Sequence, residues 1–361
     1  MKNANLTDPT ILVLADDLTS AADGAAPFLG RGLNVAVHRQ KRNVTAKTSV
    51  EVLAVDCGSR SLNESGAAQV VGEVIKNVSD GVILLKTVDS TLRGNIKAEL
   101  KAVYEASGRT RIVIAPAFPA AGRTTEKGIQ LVDGVPVFET SYANDPVHPA
   151  RTSRISELIP EEIETGEVKT VHILDANTQS ELNEKVAGFD NPEEILWVGS
   201  PGMAIALARA LFGDKIDRPE IPYAKNALVV VGSANAVSRE QTKQLKDKDF
   251  ITCLTMPEER AENADVLLDE LTSRAADLAK SGQYGAVIAT GGDTMDALLQ
   301  NLGIDEFSLV GEFEQGFPIG VARLGCGKDI VIAMKAGGFG AADTLLRAAE
   351  QLRLSKPNYW K

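Results

Sequence analysis

The chain has 361 residues, 44% of them apolar and 24% charged, and carries a formal net charge of −11 from 38 basic and 49 acidic side chains. That length exceeds the roughly 250–300 residues over which one core usually extends, and so points to two domains. The acidic balance argues against nucleic acid or an anionic membrane surface as partner, but leaves room for a small anionic substrate met by local basic groups.

The recurring pattern is a short apolar run, a polar or glycine-rich turn, and an amphipathic helix. Runs rich in Val, Ile and Leu without alternation suit strands buried on both faces of a parallel sheet. In the first half they are Ile11–Ala15, Val52–Val55, Val82–Leu85 and Ile112–Ala115. From about Gly122 to Pro160 the pattern weakens into glycine, proline and polar clusters, read as a long functional loop region with a few short elements. Strand and helix signals resume at Val168–Leu174 and Ile195–Val198. Residues 213–226, with two prolines and mixed charge, are the linker candidate, which puts the domains at 1–215 and 226–361. Beyond it come the runs Leu228–Val231, Ala286–Ala289 and Ile330–Met334. Strands alternating with helices imply two α/β domains with mainly parallel sheets and right-handed crossovers.

In such sheets ligands bind beyond the carboxyl ends of the strands. The first run leads straight into Asp16, Asp17, Leu18 and Thr19. Either Asp17 or Thr19 could cap the next helix, while two adjacent carboxylates at a strand end also suit a polar site. The segment after the third run, residues 86–95, packs Lys86, Asp89, Ser90, Arg93 and Gly94 together with two threonines. Arginine matches a carboxylate because its planar fork makes two parallel hydrogen bonds. Asp56, Ser59 and Arg60 follow the second run, and Arg123 comes after the fourth. Four strand ends in one half thus deliver Asp, Arg, Lys, Ser and Thr, the composition of a site for a polar small molecule.

Three strand–loop–helix units stand out in the second half. Their loops contain Gly232-Ser233-Ala234-Asn235, Thr290-Gly291-Gly292-Asp293-Thr294 and Lys335-Ala336-Gly337-Gly338-Phe339-Gly340. Glycine permits close approach of backbone to ligand, and helix N-termini offer free N–H groups, so the set favours a nucleotide phosphate cradle to which Lys335 could add charge. A Walker motif is absent, and so is a convincing dinucleotide fingerprint. Residues 312–320 contain a turn at Gly316 and Pro318 that could line the nucleotide site or merely connect elements. Cys57, Cys253 and Cys326 are widely spaced without a CxxC pair, which disfavours a disulfide framework or structural zinc, and no metal-ligand set is expected among the three histidines. His148 could help bind substrate, and His172 reads as structural. The polar residues Met1–Thr10 and the lack of a long apolar run lead to the expectation of a cytoplasmic protein.

Together these motifs resemble the four-carbon acid sugar kinases, a family that includes D-threonate, D-erythronate and 3-oxo-tetronate kinases. The resemblance runs over nearly the whole chain, through residues 15–23, 56–61, 86–95, 115–125, 143–149, 230–235, 289–294, 314–320 and 335–340. It implies an N-terminal acid-sugar-binding domain, a C-terminal nucleotide-binding domain and transfer of the ATP γ-phosphoryl to a terminal hydroxyl; the mechanism expected on that basis puts the active site in the inter-domain cleft with Mg²⁺ bridging the phosphates. ATP contacts would fall on Ser233, Gly291, Gly292, Asp293, Thr294, Gly337 and Gly338. Substrate contacts would fall on the loops that carry Asp16, Ser59, Arg60, Ser90, Arg93 and Gly94, to which the polar strand ends add Lys86 and Arg123. Arg93, Arg60 and Lys86, in that order, are the candidates for the acid's carboxylate, and Asp17, then Asp89, for the base. Ser20, Asn235 and Ala336 depart from the residues the family often carries. A homodimer is the base-rate expectation. The competing readings are a non-catalytic sugar-acid sensor, a Mg²⁺-dependent phosphatase of a sugar-acid phosphate and a dehydrogenase; the sequence lacks the D-x-D-x-[TV] nucleophile pattern that one phosphatase class would need and the fingerprint that a dehydrogenase would need.

Overall fold

The computed structural model describes residues 7–39, 48–76, 78–145, 148–161, 163, 170–216, 219–233, 235–256 and 264–356. The chain divides into two compact units, Met1–Asp217 and Arg218–Lys361. Among the described residues no helix is long and apolar enough to cross a membrane.

In chain order the first unit contains β1 (Ile11–Ala15), α1 (Leu18–Leu29), β2 (Val35–Arg39), β3 (Val52–Asp56), α2 (Glu64–Ile75), β4 (Ile83–Thr87), α3 (Ile96–Ser107) and β5 (Arg111–Ala115). A small antiparallel sheet follows, β6 (Arg123–Glu126), β7 (Ile129–Val132) and β8 (Val135–Pro136), and then β9 (Thr170–Ile173), α4 (Gln179–Ala187), β10 (Ile195–Gly199) and α5 (Pro201–Phe212). The main sheet has the order β2-β3-β1-β4-β10-β5-β9 with every pair parallel. β1, β3, β4 and β10 are buried along their whole length, because helices cover both faces, and this is why they read as unbroken apolar runs. On one face Leu12, Leu14, Leu53, Leu84 and Ile112 pack with Val71, Ile75, Leu100 and Val103 of α2 and α3.

Strand order decides where a ligand can enter. The connection leaving β1 travels towards β2, and the one leaving β4 travels the other way, towards β5. The loops after β1 and β4 therefore diverge and open a crevice at adjacent strand ends. Residues 16–17 and 88–95 border that crevice.

The second unit contains β11 (Ala227–Val231), α6 (Ala236–Lys243), β12 (Ile251–Thr255), α7 (Ala264–Lys280), β13 (Ala286–Thr290), α8 (Gly292–Leu302), β14 (Glu306–Glu312), β15 (Pro318–Arg323), β16 (Asp329–Lys335) and α9 (Thr344–Leu354). β12-β11-β13-β16 are parallel, and β15 and β14 extend the sheet antiparallel. Its core gathers Val229, Ile288, Phe317, Ile319, Ala333, Leu345 and Leu352.

Besides the small β6–β8 sheet, four strands lie outside the apolar runs. β12 is an edge strand, mostly half-buried, so its sequence lacks a continuous hydrophobic stretch. β14 alternates exposed and buried positions, the period of a strand covered on one face only. β2 and β15 are the other two. Residues 312–320 form the turn end of the β14–β15 hairpin, with Gly316 at φ +85°. The region from Gly122 onward is likewise more ordered than loop, since it holds the β6–β8 sheet and several single-turn 3₁₀ helices. His172 lies in β9 with its ring edge-on to Phe189 at 5.1 Å, a packing role.

Candidate active site

Each polar residue at the crevice is set in place by a strand end or a helix start. Asp17 is the N-cap of α1: its Oδ1 accepts from the Ser20 N–H at 2.7 Å. Of the two capping candidates it is therefore Asp17, not Thr19, that caps. The Arg60 N–H donates to the Asp16 carbonyl at 3.1 Å, which fixes the loop after β3 against the end of β1. The Arg60 guanidinium then forks onto Asp16, Nε to Oδ2 at 2.7 Å and Nη2 to Oδ1 at 2.9 Å. Its Nη1 pairs with Asp17 Oδ2, and Asp89 Oδ1 lies 3.9 Å from its Nη2. Gly94 approaches the same place with φ +92°, which calls for glycine, and a Cβ there would crowd Asp16 Oδ2 at 3.1 Å.

Arg93 forks onto Asp89, Nε to Oδ2 and Nη2 to Oδ1, both at 2.9 Å, and reaches Asp145 with Nη1 at 3.2 Å. Asp89 Oδ2 also accepts from the Thr91 hydroxyl and, at 3.1 Å, from the Thr91 N–H. Ser90 is half-buried, and its carbonyl accepts from the side chain of buried Gln130 at 2.8 Å. The Tyr142 ring has the Arg93 guanidinium 5.3 Å and the Arg123 guanidinium 5.7 Å from its centroid. Arg123 donates to the Tyr142 hydroxyl at 2.9 Å and to the Ala121 carbonyl.

These pairings separate the two candidate bases. Burial lifts the Asp17 carboxyl above the ordinary carboxylate range; Arg60 opposes the rise, and the neighbouring Asp16 carboxylate adds to it. Burial acts on Asp89 too, but its hydrogen bonds and charge contact with Arg93, helped by Arg60, outweigh it and hold Asp89 well below that range.

Lys86 and Ser59 are placed differently from the open rim that their loops suggest. Lys86 Nζ meets Glu99 Oε2 at 2.8 Å with both side chains 1% exposed, and it also donates to the Thr87 carbonyl at 2.7 Å. Ser59 Oγ donates to Glu99 Oε1 at 2.5 Å. Burial pulls the Lys86 pKa down, and Glu99, with help from Asp16, more than restores it, so the net shift is upward. Glu99, Tyr142 and Asp145 belong to this neighbourhood without having been singled out as site residues. Nothing within the helical stretch 96–107 marks Glu99 as buried, because its partners lie 13 and 40 positions away.

In the second unit the three glycine-bearing loops converge. Gly291 caps α8, whose first turn carries Gly292, exposed Asp293 and buried Thr294. A Cβ on Gly337 would run into Ser233 Oγ, so that loop can lie this close only as glycine; one on Gly338 would stand 3.2 Å from Asn235 Nδ2. Ser238 Oγ donates to the Gly337 carbonyl at 2.7 Å, and Gln241 Nε2 donates to the carbonyls of Phe339 and Ala341 at 3.0 and 2.9 Å. Lys335 is fully buried and turned beneath its own loop, with Nζ donating to the carbonyls of Ala336 and Phe339, both at 3.0 Å. Burial lowers its pKa to about 8, against a small opposing pull from Glu314. Lys335 thus ties down the glycine loop rather than presenting an open charge beside it.

The two units are those of a sugar-binding and nucleotide-binding protein: residues 11–171 match the family model of a sugar-binding N-terminal domain, and residues 258–345 that of a nucleotide-binding C-terminal domain. The chain is 33% identical to a D-threonate kinase of Bordetella bronchiseptica, over 96% of this chain and 98% of that protein. It is 26% identical to a 3-oxo-tetronate kinase of Brucella melitensis, over 92% and 93% of the two chains. A solved Haemophilus influenzae structure shares the fold with a TM-score of 0.69 at 20% identity, covering 94% of this chain and all of that one. The chain belongs to the four-carbon acid sugar kinase family.

Proposed function

We propose that the protein is an ATP-dependent kinase that phosphorylates the terminal (4-)hydroxyl of a four-carbon sugar acid such as threonate or erythronate. The observation that carries this reading is a division of labour: an Arg- and Asp-rich crevice in the unit matched as sugar-binding, and glycine loops built around helix starts in the unit matched as nucleotide-binding. Residues 1–215 hold the acid and residues 226–361 the nucleotide.

Phosphoryl transfer asks for positioning and charge neutralisation more than for covalent help. The free N–H groups at the start of α8, with Ser233, Gly337 and Gly338, cradle the ATP phosphates. Mg²⁺ would come with the nucleotide and offset its phosphate charge, with Asp293 the carboxylate in the first turn of α8 that would help hold it. The acid's hydroxyl gives its proton to Asp17, its oxygen bonds to the γ-phosphorus, and ADP leaves. Asp17 suits this task better than Asp89, because its pKa is lifted while Asp89 is held ionised with both oxygens on Arg93. The free cysteines Cys57, Cys253 and Cys326 fit a reducing cytoplasm.

A coupled ADP-release assay across D-threonate, D-erythronate, their stereoisomers and 3-oxo-tetronate tests the proposal. Acid-dependent ADP release with a 4-phosphorylated product is expected. Tight acid binding without turnover, or hydrolysis of the 4-phosphate without nucleotide, would overturn it.

A further inference from the structure

The cations of the first unit's crevice differ in one respect that bears on how an anionic substrate is recognised. Arg60 already faces Asp16 and Asp17, Arg93 faces Asp89 and Asp145, and Lys86 is closed against Glu99. Among the described residues no carboxylate lies within 4 Å of the Arg123 guanidinium. It spends its donors on neutral oxygens, the Ala121 carbonyl and the Tyr142 hydroxyl, and its Nε is buried with no hydrogen-bond partner.

Arg123 is nevertheless held in position. Its backbone makes a reciprocal pair of hydrogen bonds with Phe118, at 2.8 and 3.1 Å, which anchors the start of β6 to the loop leaving β5. Its guanidinium lies against the same Tyr142 ring as Arg93, whose carboxylate partner Asp89 borders the crevice. A guanidinium without an internal counter-ion keeps its full field for an incoming anion, whereas one already forked onto an aspartate must share its donors. A buried N–H left without an acceptor costs stability until a ligand supplies one.

We propose, resting on the sugar-acid reading above, that Arg123 is the residue that recognises the substrate's carboxylate, and that Arg60 and Arg93 serve to set the aspartates and the hydroxyl end. The enzyme then tells an acid from its neutral counterpart through Arg123.

The test measures binding of D-threonate and of its amide by calorimetry, alongside turnover, for wild type, Arg123→Gln, Arg123→Lys and Arg93→Gln. Unchanged thermal unfolding and far-ultraviolet dichroism check that each variant folds. Wild type is expected to prefer the acid over the amide by roughly 10²-fold, the scale of a paired charge-assisted hydrogen bond. Arg123→Gln should abolish that preference and leave KM for ATP unchanged, and Arg123→Lys should recover part of it, since the charge remains and the fork is lost. Preference retained in Arg123→Gln, or lost only in Arg93→Gln, would overturn the assignment. Because binding is read without turnover, acid binding that depends on Arg123 in a protein with no kinase activity would sink the kinase reading and support this one. Failure of wild type to bind any four-carbon acid would sink both.

Discussion

Replacing Glu99 by Gln removes one charge from the buried pair behind the crevice. The Lys86–Glu99 contact is 2.8 Å with both side chains 1% exposed, so water cannot replace the lost partner. At that distance the gross attraction is about 6 kcal/mol with an effective dielectric of about 20, and the cost of burying both ions offsets much of it. What the substitution leaves is a buried ammonium stripped of its contacting carboxylate, with only the non-contacting Asp16 to oppose the cost of burial, a loss of roughly 3–5 kcal/mol. Against a total stability of roughly 5–15 kcal/mol that is a large fraction. Lys86 is raised above its ordinary pKa in the wild type, so the pair's contribution is fully present below that ordinary value and fades only as the pH climbs through the raised one. In Glu99→Gln burial dominates and the shift reverses, so the deficit is largest at neutral pH and shrinks under alkaline conditions as Lys86 sheds its proton. Urea unfolding followed by Trp197 fluorescence, with Trp360→Phe as background, reads this directly: Trp197 is 1% exposed in β10, the neighbour of β4 that carries Lys86. The variant Lys86→Met/Glu99→Met should regain part of the loss, because it removes the buried ammonium, while Ser59 Oγ and the Thr87 carbonyl each lose a partner. A Glu99→Gln variant within about 1 kcal/mol of wild type, or a double variant no better than the single one, would refute the reasoning.

Asp17→Asn should lower kcat by roughly 10²–10⁴-fold while ATP binding survives, and wild-type kcat/KM for the acid should fall as the pH drops through the raised Asp17 pKa; single-turnover and pH–rate measurements check both, and an unchanged kcat would remove Asp17 from the mechanism. KM for ATP should rise above about pH 8, where Lys335 loses the charge that holds the carbonyls of Ala336 and Phe339, and Lys335→Met should raise it at every pH and flatten the profile; a wild-type KM constant from neutral to alkaline pH would count against that clamp. Gly337→Ala should weaken ATP binding by about tenfold or more through the clash with Ser233 Oγ and leave acid affinity untouched, as read by titration with each ligand separately.

Much of the first unit could be read directly from the sequence, because its central strands are covered on both faces and so carry unbroken apolar runs that end at polar loops. The same logic recovers β11, β13 and β16, and misses β2, β12, β14 and β15, two of which are only half-buried along their length. The glycines of the second unit were legible for a related reason: close backbone approach leaves a residue type as its trace, as at Gly337. What only the tertiary structure decided is pairing. Arg60 meets Asp16 across 44 positions and Lys86 meets Glu99 across the turn into α3, so composition could supply the charges but not say which would neutralise which. Lys86 and Lys335 look alike in sequence, each a lysine directly after a buried apolar run, yet one lies against a carboxylate and the other against its own loop's carbonyls. Charge partnership depends on distances of a few ångströms between segments far apart in the chain, and those distances exist only once strand order has brought the loops together.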